Sequence, residues 1–205
     1  MNKLEQGIQL PVIEQFYTIQ GEGFHTGKPA YFIRVGGCDI GCKWCDTKFS
    51  WQADLHKLTH VSDLVKTVSE TSGKSIVVTG GEPMMYNLDF LCTEMKKNGI
   101  NTFLETSGAY PFSGLWDWVC LSPKKQSPPL PEAYRIADEL KVIVYDENDL
   151  IRAEEEALKV RNDCLLFLQP EWSKKNTNTP TIVEYIKKNP KWNLSLQTHK
   201  FINIP

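Results

Sequence analysis

The sequence predicts an α/β protein, a partial (βα)6-type barrel with a mostly parallel sheet. Three observations carry that prediction. Short, nearly continuous apolar runs alternate with stretches of helical periodicity, the pattern of a parallel sheet covered by helices. The chain has 205 residues, fewer than the ~250 of a full eight-unit barrel. Two connections, 106–117 and the proline-rich 123–131, are too short or too irregular for an ordinary crossover helix.

The elements follow in order. VIEQFYT (12–18) reads as an extra N-terminal strand and YFIRV (31–35) as the first barrel strand. Val61, Leu64, Val65 and Val68 form an i, i+3, i+4, i+7 stripe, with Gly73 as a cap behind them. SIVVT (75–79) is the next strand. Leu88, Leu91, Cys92 and Met95 repeat the helical stripe, with Gly99 behind. NTFLE (101–105), WVCLS (118–122) and LKVIV (140–144) read as strands, and Glu147 to Val160 as a charged amphipathic helix. CLLFL (164–168) is a further strand. Thr179 and Pro180 look like the N-cap and first position of a helix over TIVEYIKKN, and LSLQ (194–197) closes the set. No repeat or flexible linker interrupts the chain, so 1–205 reads as a single domain with an N-terminal strand and loop extension and a C-terminal tail.

Composition narrows the function classes. A net charge of −2 and a pI near 6.1 give no broad basic surface for nucleic acid or membrane. The start, MNKLEQGIQLPVIEQ, lacks the apolar run of a signal peptide, and no stretch approaches the ~20 apolar residues of a membrane span. The expected location is cytoplasmic, where cysteines stay reduced. Cys92, Cys120 and Cys164 sit singly in apolar stretches and read as packing residues; Cys38, Cys42 and Cys45 are clustered.

Chemistry in such folds gathers at the carboxyl ends of the strands. Those ends carry the cysteine loop CDIGCKWCDT (38–47), GGEP (80–83), ETSG (105–108), SPKK (122–125) and QPEW (169–172), and the last strand leads into THKF (198–201). Three thiolates can hold three irons of a four-iron cluster and leave the fourth open, as reactive metal sites require. The spacing alone also admits a zinc site completed by His25 or His56, or unligated packing thiols.

C-x3-C-x2-C after the first barrel strand, Trp44 before the third cysteine, and GGEP in order behind them resemble the radical S-adenosylmethionine (SAM) superfamily. The resemblance implies an abbreviated radical SAM core. It implies a 4Fe-4S cluster on Cys38, Cys42 and Cys45, with SAM on the open iron as the source of a 5′-deoxyadenosyl radical. It places SAM against Trp44, Gly80, Gly81, Glu82, Ser122, Pro123 and Lys124, and against Gln169, Pro170, Glu171 and Trp172. Gly80 and Gly81 would let the backbone approach the methionine end, and Glu82 would accept from its ammonium.

Flanking motifs sharpen the resemblance. TIQGEG (18–23), CDT (45–47), TGGEP (79–83), ETSG (105–108), SPK (122–124) and QTHKF (197–201) together resemble the 7-carboxy-7-deazaguanine synthase family, over nearly the whole chain from about 12 to 205. The implied reaction converts 6-carboxy-5,6,7,8-tetrahydropterin to 7-carboxy-7-deazaguanine by hydrogen abstraction at C6 and ring contraction, releasing ammonia, in 7-deazapurine (queuosine precursor) biosynthesis. SAM would be regenerated at each turnover. The implied substrate contacts are Ile19, Gln20, Gly21, Glu22, Arg34, Thr79, Glu105, His199 and Pro205, the last through a substrate-capping tail and a terminal carboxylate. Thr47 would ligate Mg2+ with Asp46 nearby. A flavodoxin or ferredoxin donor and a homodimer are further expectations. Rival readings are a glycyl-radical activating enzyme and a zinc-stapled binding module.

Overall fold

The computed structural model describes residues 2–205. Nine strands form one open sheet in the order β3-β1-β2-β4-β5-β6-β7-β8-β9. They are β1 (Gln9–Ile19), β2 (Pro29–Val35), β3 (Leu58–His60), β4 (Ser75–Gly80), β5 (Asn101–Thr106), β6 (Trp118–Leu121), β7 (Glu139–Val144), β8 (Leu165–Pro170) and β9 (Trp192–Leu194). β1 runs antiparallel to both β2 and β3. From β2 onward every pairing is parallel, so seven strands point their carboxyl ends at one rim. The sheet does not close, in keeping with a partial barrel.

Helices pack on one face of the sheet: α1 (Val61–Ser69), α2 (Asp89–Lys97), α3 (Pro131–Ile136), α4 (Asn148–Ala157) and α5 (Lys175–Lys188). A short α6 (Thr198–Ile202) lies at the rim. The stripe Val61, Leu64, Val65 and Val68 is the buried face of α1, and Leu91, Cys92 and Met95 that of α2. These faces pack on Ile33, Ile76, Val78 and Leu104 in one core cluster. A second cluster joins Leu121, Leu140, Val142 and Leu168 to Leu150, Ala153, Ile182 and Trp192. The core therefore sits between sheet and helices, and the alternate residues Arg34, Thr79, Glu105, Lys141 and Gln169 point to the other face, into the cavity.

Several boundaries differ from the sequence reading. The strand expected at 12–18 extends over Gln9–Ile19, with a register irregularity between Val12 and Glu14. Three-residue β3 carried too little pattern to be seen. The helix expected from Thr179 and Pro180 begins at Lys175, with Pro180 inside it. Pro180 removes the bond to the Asn176 carbonyl, but both residues are exposed, so water can serve that carbonyl. The helix expected over 147–160 stops at Ala157, and Leu158 is 85% exposed and anchors nothing. The last strand lies at Trp192–Leu194 rather than 194–197, because buried Trp192 is the anchor. After it the chain turns inward, where the Ser195 hydroxyl donates to Gln169 at 2.6 Å. Among the described residues, no helix is long and apolar enough to cross a membrane.

Candidate active site

The carboxyl rim encloses a cavity of about 550 Å3. Every residue that the sequence reading put at the site lines it except Pro123. Pro123 instead turns its carbonyl to the Arg152 guanidinium at 3.3 Å, away from the cavity wall. The spread-out motifs converge because parallel strands deliver their carboxyl ends to the same rim.

The cysteine loop is fastened at its base. Gly37 N–H donates to Ser50 at 2.7 Å, Cys38 N–H donates to Trp51 at 3.2 Å, and the Tyr110 hydroxyl reaches Asp39 at 2.5 Å. GGEP is built against that base. Gly81 N–H donates to the Val35 carbonyl and Glu82 N–H to the Gly37 carbonyl, each at 2.8 Å. A Cβ on Gly80, whose φ is +137°, would lie 2.2 Å from the Val35 oxygen; one on Gly81 would lie 2.1 Å from the Gly37 oxygen. The two glycines thus let the turn abut the stem of the cysteine loop.

Glu82 is 1% exposed and its carboxylate is saturated. One oxygen accepts from Met84 N–H at 3.0 Å and the Thr106 hydroxyl at 2.5 Å; the other accepts from the N–H and hydroxyl of Ser107. A carboxylate has about four acceptor sites. Glu82 spends them bracing GGEP against ETSG, which leaves none for the SAM ammonium that the sequence reading gave it.

Cys38, Cys42 and Cys45 are free thiols on the cavity wall, and Cys45 Sγ lies 3.5 Å from the Thr47 hydroxyl. Neither histidine that could complete a zinc site is on that wall. His25 stacks on Phe103, with ring centroids 4.4 Å apart, and His56 Nε2 meets the Phe49 carbonyl at 3.2 Å. Among the described residues, no group of three or more His, Cys, Asp or Glu is poised around a single metal ion. Three thiols facing a cavity without a fourth protein ligand fit a cluster with one open iron. Burial pushes the Cys38 and Cys42 thiols above their ordinary range, so assembly of a cluster must release their protons.

The same cavity holds a charged set. Lys141, only 3% exposed, donates to Glu22 at 2.6 Å and to Glu105 at 2.7 Å. Gln20 Nε2 donates to the other Glu105 oxygen at 3.3 Å, and Gln197 Nε2 to the other Glu22 oxygen at 2.9 Å. Burial opposes ionisation of Glu22, yet the Lys141 charge and the bonds from Lys141 and Gln197 outweigh it, holding the pKa at about 2. Burial likewise opposes the Lys141 charge, but Cys120 and the carboxylates of Glu105, Glu22 and Glu139 push its pKa well above the lysine range. Arg34 pairs with Glu14 at 2.6 Å while lining the cavity.

The C-terminal segment closes one side. Thr198 N–H donates to the Gly21 carbonyl at 2.9 Å, and the His199 ring packs on the Gly21 α-carbon. Burial pushes the His199 pKa down, which favours the neutral ring. Lys200 pairs with Asp46 at 2.5 Å and lies 5.0 Å from the Trp172 ring centroid, and Phe201 meets Trp172 edge-on at 5.3 Å. Pro205 reaches the same wall, and its carbonyl accepts from the Thr18 hydroxyl at 3.4 Å. On the cysteine side, Lys124 donates to the Ser122 hydroxyl at 2.6 Å and sits 5.4 Å from the Trp44 ring centroid. Glu171 caps the short turn Trp172–Lys174.

Sequence reasoning missed Lys141, Gln197 and Lys200. Lys141 had a signal: a lysine inside the apolar run LKVIV, where an unpaired charge is not tolerated. Gln197 and Lys200 lay inside the quoted QTHKF, but only His199 was singled out.

Comparison with known proteins agrees with this geometry. The sequence profile of the Radical SAM superfamily matches residues 32–120, from the first parallel strand through β6. A 7-carboxy-7-deazaguanine synthase of Flavobacterium psychrophilum is 56% identical over 202 residues, covering 98% of this chain and 96% of that protein. One of a Synechocystis species is 43% identical over 197 residues, covering 96% and 94%. The crystal structure of QueE from Escherichia coli superposes with a TM-score of 0.85 at 32% identity, covering 96% of this chain and 97% of that one.

Proposed function

The chain belongs to the 7-carboxy-7-deazaguanine synthase family of radical SAM enzymes, and on that premise we propose that it converts 6-carboxy-5,6,7,8-tetrahydropterin to 7-carboxy-7-deazaguanine and ammonia. The observation that carries this reading is the single cavity lined both by three free thiols and by a carboxylate, amide and cation set. A 4Fe-4S cluster with SAM on its open iron supplies a hydrogen-abstracting radical when bound.

The chain's own residues bind, orient and enclose. Cys38, Cys42 and Cys45 hold the cluster. Trp44, Ser122, Lys124 and the segment Gln169 to Trp172 form the SAM side; Gly80, Gly81 and Glu82 act there by shaping the turn. Glu22 and Glu105 offer acceptors to the N–H groups of a 2-amino-pyrimidinone edge, and the Gln20 amide, whose oxygen accepts from the Gly21 and Glu22 N–H groups, sets that edge of the wall. Arg34 and His199 stand where a substrate carboxylate could be met, with Ile19, Gly21, Thr79 and Pro205 completing the wall. Thr47 would ligate Mg2+, which would supply the templating role of a hard cation with oxygen ligands. Asp46 would sit near that metal, where its carboxylate also holds Lys200. The chain works as a single radical SAM domain, as a cytoplasmic homodimer reduced by a flavodoxin or ferredoxin.

Anaerobic reconstitution separates these roles. Cys42→Ala should lose the cluster and all SAM cleavage. Thr47→Ala should keep both, yet need at least roughly tenfold more Mg2+ for half-maximal product formation, the loss expected when about 1.4 kcal/mol of metal binding is removed. An unchanged Mg2+ requirement in Thr47→Ala would remove Thr47 from the metal site.

A further inference from the structure

Lys141 is the feature of the cavity that no motif announced. It rises from β7, and its two partners come from elsewhere: Glu22 from the β1–β2 loop and Glu105 from β5. All three line the cavity. A cation this deep is costly unless paired, and here it is paired twice.

The bonding leaves capacity to spare. Glu22 gives one oxygen to Lys141 and the other to Gln197; Glu105 gives one to Lys141 and the other to Gln20. Glu22 also meets the Gln169 side chain, so of about four acceptor sites on each carboxylate Glu22 keeps about one free and Glu105 about two. Glu82, by contrast, has all four acceptor sites filled by its own chain. The groups facing Lys141 besides the two carboxylates are Glu139 on its own strand, Cys120 on β6, Lys124 beyond β6 and His199 on α6.

We infer that Lys141 is a positioning residue that sets substrate specificity: it holds Glu22 and Glu105 as a paired, outward-offering acceptor site for the amino-bearing edge of the ligand. This rests on the proposed function, because that edge belongs to the pterin and to its product. Two carboxylates converging without the lysine would repel, splay or take up a proton, and a protonated carboxyl loses acceptor capacity. Lys141 then acts through its partners, and its loss should show as lost discrimination rather than only as lost stability.

The test is calorimetric binding to the anaerobic, SAM-loaded holoenzyme. The two ligands are 7-carboxy-7-deazaguanine and its analogue lacking the 2-amino group. The unaltered enzyme should prefer the amino ligand by roughly tenfold or more, since an unmet buried acceptor is penalised. In Lys141→Met the preference should collapse to less than about threefold, while SAM affinity and cluster content stay unchanged. A merely structural lysine would weaken both ligands alike and keep the ratio. Should Lys141→Met not fold, Lys141→Arg carries the test, because it keeps the charge and donors for both carboxylates: a retained preference supports the inference and a lost one overturns it. Preference surviving in a folded Lys141→Met overturns this inference alone. An unaltered holoenzyme that binds neither ligand overturns the substrate reading, and this inference with it.

Discussion

Gly21 and His199 are far apart in sequence and in contact in the fold. A Cβ at position 21 would sit 2.2 Å from His199 Nδ1. Gly21→Ala therefore has to push the His199 ring, and α6 with it, off the rim. Overpacking of this kind costs about 1–3 kcal/mol. We expect a lowered midpoint of thermal unfolding together with weaker product binding, both read on the same preparation. Equal stability and equal affinity would mean that the ring moves freely and does not define the wall. At this scale the sequence showed which residues matter more clearly than what each one does. GGEP was legible as a glycine-rich turn at a strand end, but the role of its glutamate was not. Only coordinates reveal that Met84, Thr106 and Ser107 fill its four acceptor sites. Lys141 was hidden for a related reason: its buried ion pairs are a property of two strands and a loop together, and the lysine looks like one polar letter in an apolar run.

At the scale of elements, α6 is a short helix whose hold on the rim comes from side chains. Lys200 ties it to Asp46 of the cysteine loop, Gln197 just ahead of it reaches Glu22, and Phe201 meets Trp172 beyond β8. It thus ties together the cysteine loop, the β1–β2 loop and the turn after β8. Asp46 is 51% exposed in its side chain, so the Lys200 pair is a surface salt bridge worth little to global stability. Lys200→Met should leave urea unfolding within about 1 kcal/mol of the parent, while raising KM for the pterin more than it lowers kcat. An equal fall in kcat with KM unchanged would instead place Lys200 in the chemical step. The strands and the amphipathic helices α1 and α2 were readable from periodicity because each buries one face. The start of α5 was not, because Thr-Pro mimics a helix beginning while the true start is dictated by the capped turn at Trp172–Lys174. β3 has three residues and β9 three, too few to show any period.

For the whole molecule, the open seven-strand parallel sheet explains why motifs scattered over the chain belong to one site. That much was legible: alternation of strand and helix, clipped connections and polar strand ends together imply a partial barrel with chemistry at one rim. Closure of the rim by the C-terminal segment was legible only through resemblance, since no local pattern says where a tail docks. The same architecture ties stability to pH. Glu22 has its pKa lowered from 4.5 to about 2, chiefly by Lys141 against the cost of burial. A carboxylate lowered in the folded state adds stability that is complete above its unfolded pKa and is lost as pH falls through the folded one. Denaturant midpoints should therefore slip modestly as pH falls through about 6.5, where unfolded His25 and His199 take up protons that burial denies them in the fold, and fall more steeply below about 4.5 as Glu22 adds its loss. Glu22→Gln should flatten that fall; a parent-like acid slope in the variant would assign it to other carboxylates.

The central claim is that thiols and acceptor set act on one substrate in one cavity. Its most direct test is anaerobic turnover of the reconstituted protein with SAM, a one-electron reductant, Mg2+ and 6-carboxy-5,6,7,8-tetrahydropterin. The expected products are 7-carboxy-7-deazaguanine and an equal amount of ammonia, with no net consumption of SAM. Cleavage of SAM with no deazapurine formed would contradict that claim.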